Sequence, residues 1–189
     1  GVAKNPLTGK YYVTSRYDGL VSMVALGGSE LIPEGELTLA LRSRDARGIT
    51  FSPDGQWAYL VQRSPDSVIF LDTSLDALGR CRNKVRAVVD VGTNPSVLNV
   101  VSQEGVPPRL YVSSYKDNLI YVLDTEIQEV MDIVQVGLGP YEMALSPGPN
   151  PKRLYVVNFE DNTVSVVDID PESPTYHQEL ARVGERRPN

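Results

Sequence analysis

Short apolar runs, rich in Val, Ile, Leu and Tyr, recur along the whole chain, with Gly, Pro, Asn and Asp in the gaps. Residues 85–91, 97–101, 110–113 and 119–123 are typical. Runs of this length and composition, bounded by turn formers, predict β-strands. No segment sustains apolar residues at a 3.6-residue period, so almost no helix is expected. The best helical candidate is "LDTSLDALGRC" at 71–81, expected to form one turn. Asp18-Gly19, Asp117-Asn118 and Asp161-Asn162 each separate two apolar runs. Such pairs suit tight hairpins, because Gly adopts positive φ freely and Asn or Asp at little cost.

The runs repeat as a set. "RLYVSSYKDNLIYVLDT" at 109–125 returns as "RLYVVNFEDNTVSVVDID" at 153–170. Aligned on tyrosine, Tyr111 and Tyr155 each have Asp-Asn six residues on and an Asp, Asp124 or Asp168, thirteen residues on. Tyr59 matches through Asp72, and Tyr12 more faintly, with Ala25 at that place. The four anchors are 47, 52 and 44 residues apart. Pro6, Pro53 and Pro147 fall in the turn before an anchor, and Val-Gly at 91–92, 136–137 and 183–184 closes three of the units. Each unit thus holds four β-like runs, A to D. Four antiparallel strands in about 48 residues describe a β-propeller blade. A blade must be covered on both faces by its neighbours, which accounts for continuous apolar runs such as "LYVV".

The expected fold is therefore all-β: a propeller of four-stranded antiparallel blades, about four of them, with repeats at 1–46, 47–93, 94–138 and 139–184. Residues 185–189 are read as the start of a further repeat or a polar tail. The first A strand is nearly absent, so the favoured expectation is part of a larger ring. Its remaining blades, or another chain, would cover the open ends. Two copies completing an eight-bladed ring is the less favoured alternative.

The Tyr-Val-x-Asn of 155–158, the "DNTVSVVD" of 161–168 and the "VGLGPYEMALSP" of 136–147 resemble the YVTN-type β-propeller repeat. The other anchors read "YVTS", "YLVQ" and "YVSS" and depart from its final Asn. That family occurs in bacterial and archaeal cell-surface and secreted proteins. Its relatives include seven-bladed lactonase-like enzymes, amine dehydrogenase heavy chains and the haem-d1 domain of nitrite reductases. The resemblance implies a seven- or eight-bladed ring in a periplasmic, cell-surface or secreted protein. The role it favours is a non-catalytic scaffold or recognition module that binds protein partners. The alternative is a fragment of a propeller enzyme, lactonase-like or redox, whose catalytic residues lie mostly outside this chain.

Charge narrows the partners. Eighteen basic and 24 acidic side chains give a net charge of −6, the wrong sign for a nucleic-acid footprint. No apolar run approaches the roughly 18–20 residues of a membrane span. Cys81 is the single cysteine. It is read either as an unreactive thiol in a C–D loop or as half of a disulfide to another piece. Arg80, Arg82 and Lys84 would favour its thiolate. His177, the single histidine, lies in the polar stretch "DPESPTYHQE", read as a tail. One histidine cannot supply a clustered copper or haem site. Asp72, Asp124 and Asp168, and likewise Asp18, Asp117 and Asp161, recur at fixed strand positions. They are expected to bond backbone N–H groups and to build the hairpin turns. Trp57 is expected to pack within its blade. No catalytic, cofactor-binding or metal-binding residue is assigned, and no cofactor is expected.

Positions that break the repeat are better binding candidates than positions that keep it. In a propeller, the B–C and D–A connections emerge at one end. The B–C tips are expected to carry Arg16, Tyr17, Arg63, Tyr115, Lys116, Phe159 and Glu160, and the D–A loops Arg47, Asn94, Tyr141 and Glu142. Aromatic and arginine side chains on exposed loops are the usual material of binding hot spots.

Overall fold

A computed structural model describes residues 1–27, 30–39 and 44–185. Its strands fall into four separate antiparallel sheets, each a simple up-and-down meander. The chain divides into two compact units, Gly1–Asp90 and Val91–Asn189. In the first unit one sheet runs β1 (Val2–Lys4), β2 (Tyr11–Thr14), β3 (Leu20–Gly27), β4 (Glu30–Thr38). The other runs β5 (Arg44–Phe51), β6 (Trp57–Ser64), β7 (Asp66–Asp72), β8 (Lys84–Asp90). In the second unit the sheets are β9 (Pro95–Gln103), β10 (Val106–Ser114), β11 (Leu119–Asp124), β12 (Glu129–Gln135), and β13 (Pro140–Leu145), β14 (Arg153–Asn158), β15 (Thr163–Asp168), β16 (Glu179–Gly184). This is the strand plan of propeller blades, in an all-β protein with no helix among the described residues.

Each unit has its own core between two sheets. In the first, Tyr12 and Val21 pack against Phe51, Ala58, Leu60, Ile69 and Leu71. In the second, Tyr111, Ile120, Val122 and Val134 meet Met143, Leu154, Val156 and Val167. The period-2 alternation of the strands puts these side chains on facing surfaces. Each large apolar side chain so buried contributes about 1.5–3 kcal/mol.

The hairpin expectation holds in three blades: Gly19, Asn118 and Asn162 have φ of 63°, 61° and 56°. The 71–81 segment does not form a helical turn. It folds into a small hairpin closed by a bridge between Leu75 and Cys81. The Asp76 carboxylate accepts the N–H groups of Leu78 and Arg80 at 2.8 and 3.0 Å. A side chain that satisfies local N–H groups in this way competes with helix formation.

The recurring aspartates at the end of strand C do bond backbone. Asp72 Oδ1 accepts the Ser74 N–H, Asp124 Oδ1 those of Glu126 and Ile127, and Asp168 Oδ1 that of Asp170. Each also holds an arginine: Arg86 at 2.5 Å, Arg109 at 2.7 Å and Arg153 at 2.6 Å, respectively. Arg109 and Arg153 stand two residues before their anchor tyrosines. Trp57 takes that place in the second blade, opposite Asp72, so there the arginine comes from β8 instead.

Candidate functional site

The end of the second unit where B–C turns meet D–A connections is built by backbone bonds between the two. Tyr115 and Lys116 donate their N–H groups to the carbonyls of Asn94 and Thr93, both at 3.2 Å. Phe159 and Glu160 donate to Gly139 and Leu138 at 2.9 and 3.1 Å. Two hairpin aspartates reinforce the junction. Asp117 Oδ2 accepts the Thr93 N–H at 2.6 Å, and Asp161 Oδ2 the Leu138 N–H at 3.2 Å. These aspartates therefore do more than shape their own turns: they tie each B–C turn to the connection entering its blade.

The same approach explains the Val-Gly that closes a unit. A Cβ on Gly92 would overlap Asp117 Oδ2, Ser114 Oγ and the Tyr121 ring, and one on Gly137 would overlap the Asn158 amide. The Asn158 side chain is buried and donates to Thr163 Oγ1 and Ser165 Oγ at 2.9 and 2.8 Å. Glycine at 92 and 137 answers to this close approach.

On that frame several of the expected binding residues come together. The Tyr115 and Tyr141 rings pack edge to face with centroids 6.4 Å apart. Lys116 Nζ lies 5.5 Å from the Tyr115 ring centroid and 3.8 Å from Glu160 Oε1. Gly139 runs beneath Glu160 and Tyr115, so a side chain there would strike both. Phe159 projects with 67% of its surface exposed. Asn94 supplies the carbonyl under Tyr115, in a left-handed conformation of φ 57°. The result is a half-buried Tyr115 packed on an exposed Tyr141 and bordered by a Lys–Glu pair, with Phe159 exposed on the neighbouring B–C turn. Tyr141 and Glu142 are the second and third residues of β13 rather than loop residues. The strand begins earlier than the turn signals suggest because Pro140 already pairs with Asn158.

The first unit arranges its expected residues differently. Arg47 lies within β5, not in a loop, because pairing with β6 begins at Arg44. Its Nε is 2.6 Å from Asp45 Oδ1, and Arg16 Nε reaches the same oxygen at 3.3 Å. Burial alone would raise the Asp45 pKa, but the two guanidinium groups hold it below its ordinary value. Arg63 belongs to β6, paired with Asp66 across the turn, rather than to the tip itself. Tyr17 is 85% exposed.

His177 corrects the tail reading. The chain from 169 to 178 folds back as the connection to β16, and His177 is buried there with φ 61°. Its ring stacks on Tyr176 at 3.6 Å. Nε2 lies 2.9 Å from the Tyr111 hydroxyl and Nδ1 2.8 Å from Asp132 Oδ2. A neutral ring satisfies both neighbours, donating from Nδ1 and accepting at Nε2. Burial lowers the His177 pKa, against the opposing pull of Asp132. Burial likewise pushes the Tyr111 phenol above its ordinary range. In the first unit Tyr12 Oη donates to Asn83 Oδ1 at 2.8 Å, and Asn83 also has positive φ, 47°. Sequence reasoning missed both bonds. Their one shared signal is the tyrosine that recurs in each repeat. Cys81, a free thiol, borders the recess beside Tyr12, Met23 and Asn83, of about 320 Å³.

No family model and no curated protein sequence matches this chain. Solved structures do. Hydrazine synthase of Kuenenia stuttgartiensis superposes with a TM-score of 0.76 at 20% identity, over 98% of this chain and 48% of its own. A Lactobacillus plantarum protein gives 0.78 at 18% identity, over 98% and 55%. A 6-phosphogluconolactonase candidate from Bacteroides uniformis gives 0.72 at 17%, over 100% and 57%. The likeness is one of fold, and it agrees with reading the four sheets as propeller blades. The chain spans about half the length of the structures it matches. Among the described residues no helix is long and apolar enough to cross a membrane.

Proposed function

We propose that this chain is a non-catalytic part of a larger β-propeller of the YVTN type, of seven or eight blades, in a bacterial protein of the periplasm, cell surface or exterior. Its role is to recognise a protein partner. The observation that carries this reading is the patch at the B–C end of the second unit. Tyr115 and Tyr141 lie edge to face there next to the Lys116–Glu160 pair, and the neighbouring B–C turn presents the exposed Phe159. Tyrosine presents a large rigid surface with a polar tip, which suits partner binding at low entropic cost. The aromatic positions break the repeat while the frame beneath them keeps it. A negative net charge of −6 favours a partner that is itself not strongly acidic.

The test is a peptide-display selection on the immobilised protein, followed by affinity measurement against Tyr115→Ala and Phe159→Ala. Each substitution is expected to weaken the selected peptides by about tenfold or more, with the denaturation midpoint unchanged in Phe159→Ala and only slightly lowered in Tyr115→Ala, which also loses its ring contact with Tyr141. Selected peptides that bind both variants as tightly as the parent protein would remove this patch as the recognition face.

A further inference from the structure

The four anchor tyrosines are not equally covered. Tyr12, Tyr59 and Tyr111 are buried, whereas Tyr155 is 39% exposed. All four hold one register position: Tyr155 lies opposite Val166 as Tyr111 lies opposite Val122, Tyr59 opposite Phe70 and Tyr12 opposite Met23. Within each unit, the first sheet's anchor hydroxyl bonds a left-handed residue just ahead of the second sheet's fourth strand. For Tyr12 that residue is Asn83, and for Tyr111 it is His177. Among the described residues no hydrogen bond reaches the Tyr155 hydroxyl.

The surface around Tyr155 repeats a surface that is already covered. Val164 and Val183 pair across β15 and β16 as Ile120 and Val134 pair across β11 and β12. Ile120 and Val134 are buried under β13–β16. Val183, in the corresponding row, is 61% exposed. We propose that the Tyr155 face of β13–β16 receives a further four-stranded sheet of the same repeat, and that an asparagine ahead of that sheet's fourth strand bonds Tyr155 Oη. This rests on the blade architecture and not on the recognition patch.

Asparagine rather than histidine follows from the strand behind. His177 is held on its far side by Asp132, which stands opposite Val122. The residue opposite Val166 is Ala181, which offers no carboxylate. Where the first unit likewise has no carboxylate, with Gly35 opposite Met23, the incoming residue is Asn83. The first sheet of a second copy does not fit the role. Its β3 ends at Gly27 and its β4 starts at Glu30. That leaves no loop like those from Asp72 to Lys84 and from Asp168 to Glu179 that carry Asn83 and His177.

The test is to extend the chain with a duplicate of residues 139–184 carrying His177→Asn and Tyr155→Phe. Tyr155 of the parent sheet is then the one to follow, by its rate of nitration with tetranitromethane, read by peptide mass spectrometry. Nitration is expected to slow by roughly tenfold or more in the extended chain, the burial of Tyr111 being the precedent. The urea midpoint should rise, and a duplicate that keeps His177 should raise it less. An unchanged nitration rate beside a folded parent, or a His-bearing duplicate that stabilises as well as the Asn-bearing one, would overturn the proposal. So would concentration-dependent self-association of the unextended chain that protects Tyr155, since it would assign the face to a second copy.

Discussion

The Tyr111 hydroxyl and His177 Nε2 lie 2.9 Å apart across two sheets, 66 positions apart in sequence. The rings also meet edge to face, with centroids 5.7 Å apart. The bond joins the middle of β10 to the loop that enters β16, and Tyr12 with Asn83 does the same between β2 and β8. The tyrosine that marks each repeat in the sequence is thus an inter-sheet connector in each unit.

Removing only the hydroxyl tests that role. Tyr111→Phe keeps the ring in the core but leaves His177 Nε2 without its donor. An unpaired buried polar group costs about 1–3 kcal/mol. Tyr12→Phe should show a loss of similar size, and Tyr155→Phe almost none, because its hydroxyl has no such bond among the described residues. Urea denaturation with an unchanged slope is the measurement. Equal losses at Tyr111 and Tyr155 would show that the hydroxyl contact contributes nothing.

His177 also gives stability a pH dependence of defined sign. Its folded-state pKa lies below the ordinary 6.5, chiefly through burial, so the unfolded chain takes up a proton more readily. Its contribution is complete above about pH 6.5 and is lost as pH falls toward the folded value. Asp132, Arg109 and Asp168 are the charged groups that act on the ring. His177→Gln should flatten the denaturation midpoint between about pH 7.5 and 5.5. A parent protein whose midpoint is constant over that range would sink this account.

Glycine at the D–A junction answers to crowding rather than to φ. Gly92 and Gly137 both have ordinary negative-side backbones among the described residues, yet a Cβ at either would overlap Asp117 or Asn158. Gly92→Ala and Gly137→Ala should each destabilise by about 1–3 kcal/mol, the cost of overpacking. Gly79→Ala meets nothing within 4 Å and is strained only by its φ of 72°. A smaller loss there than at Gly137, in thermal melts of the three variants, is the expected order.

How much of this was legible in the chain follows from which interactions are local. Tyr111, Asp117-Asn118 and Asp124 fall within one hairpin, so their spacing carries the strand pairing, the turn and the terminal carboxylate together. The apolar alternation then yields the facing surfaces. The burial of His177 is not legible in the sequence, because its polar neighbours Glu172, Ser173 and Gln178 read as a tail. The burial comes from Tyr111 and Asp132, both on another sheet. Turn formers alone put Arg47, Tyr141 and Glu142 in loops, whereas the strand ends are set by pairing partners, here Ser64 and Asn158. The association of Tyr115 with Tyr141 was legible as two loops sharing one end, but not as a ring contact.

Asp168 offers the last prediction, because it separates two acid transitions. Its Oδ2 accepts the hydroxyls of Ser173 and Thr175, both at 2.6 Å, and Oδ1 takes Arg153 and the Asp170 N–H. Burial alone would raise its pKa, but these donors and the Arg153 charge hold it below the ordinary 3.8. A carboxylate depressed in this way contributes stability above about pH 3.8 that is lost as pH falls through the lower folded value. Asp168→Asn keeps one acceptor oxygen and sets an NH2 donor against either the two hydroxyls or the guanidinium and N–H. The loss should reach about 1–3 kcal/mol at neutral pH. Acid titrations of stability should then resolve two steps in the parent protein. The step below about pH 6.5 should vanish in His177→Gln, and the step below about pH 3.8 should shrink in Asp168→Asn. Because Ser173 and Thr175 lie in the loop that carries His177, the double variant should lose less than the sum of the single losses. Strict additivity would mean that Asp168 and His177 hold that loop independently.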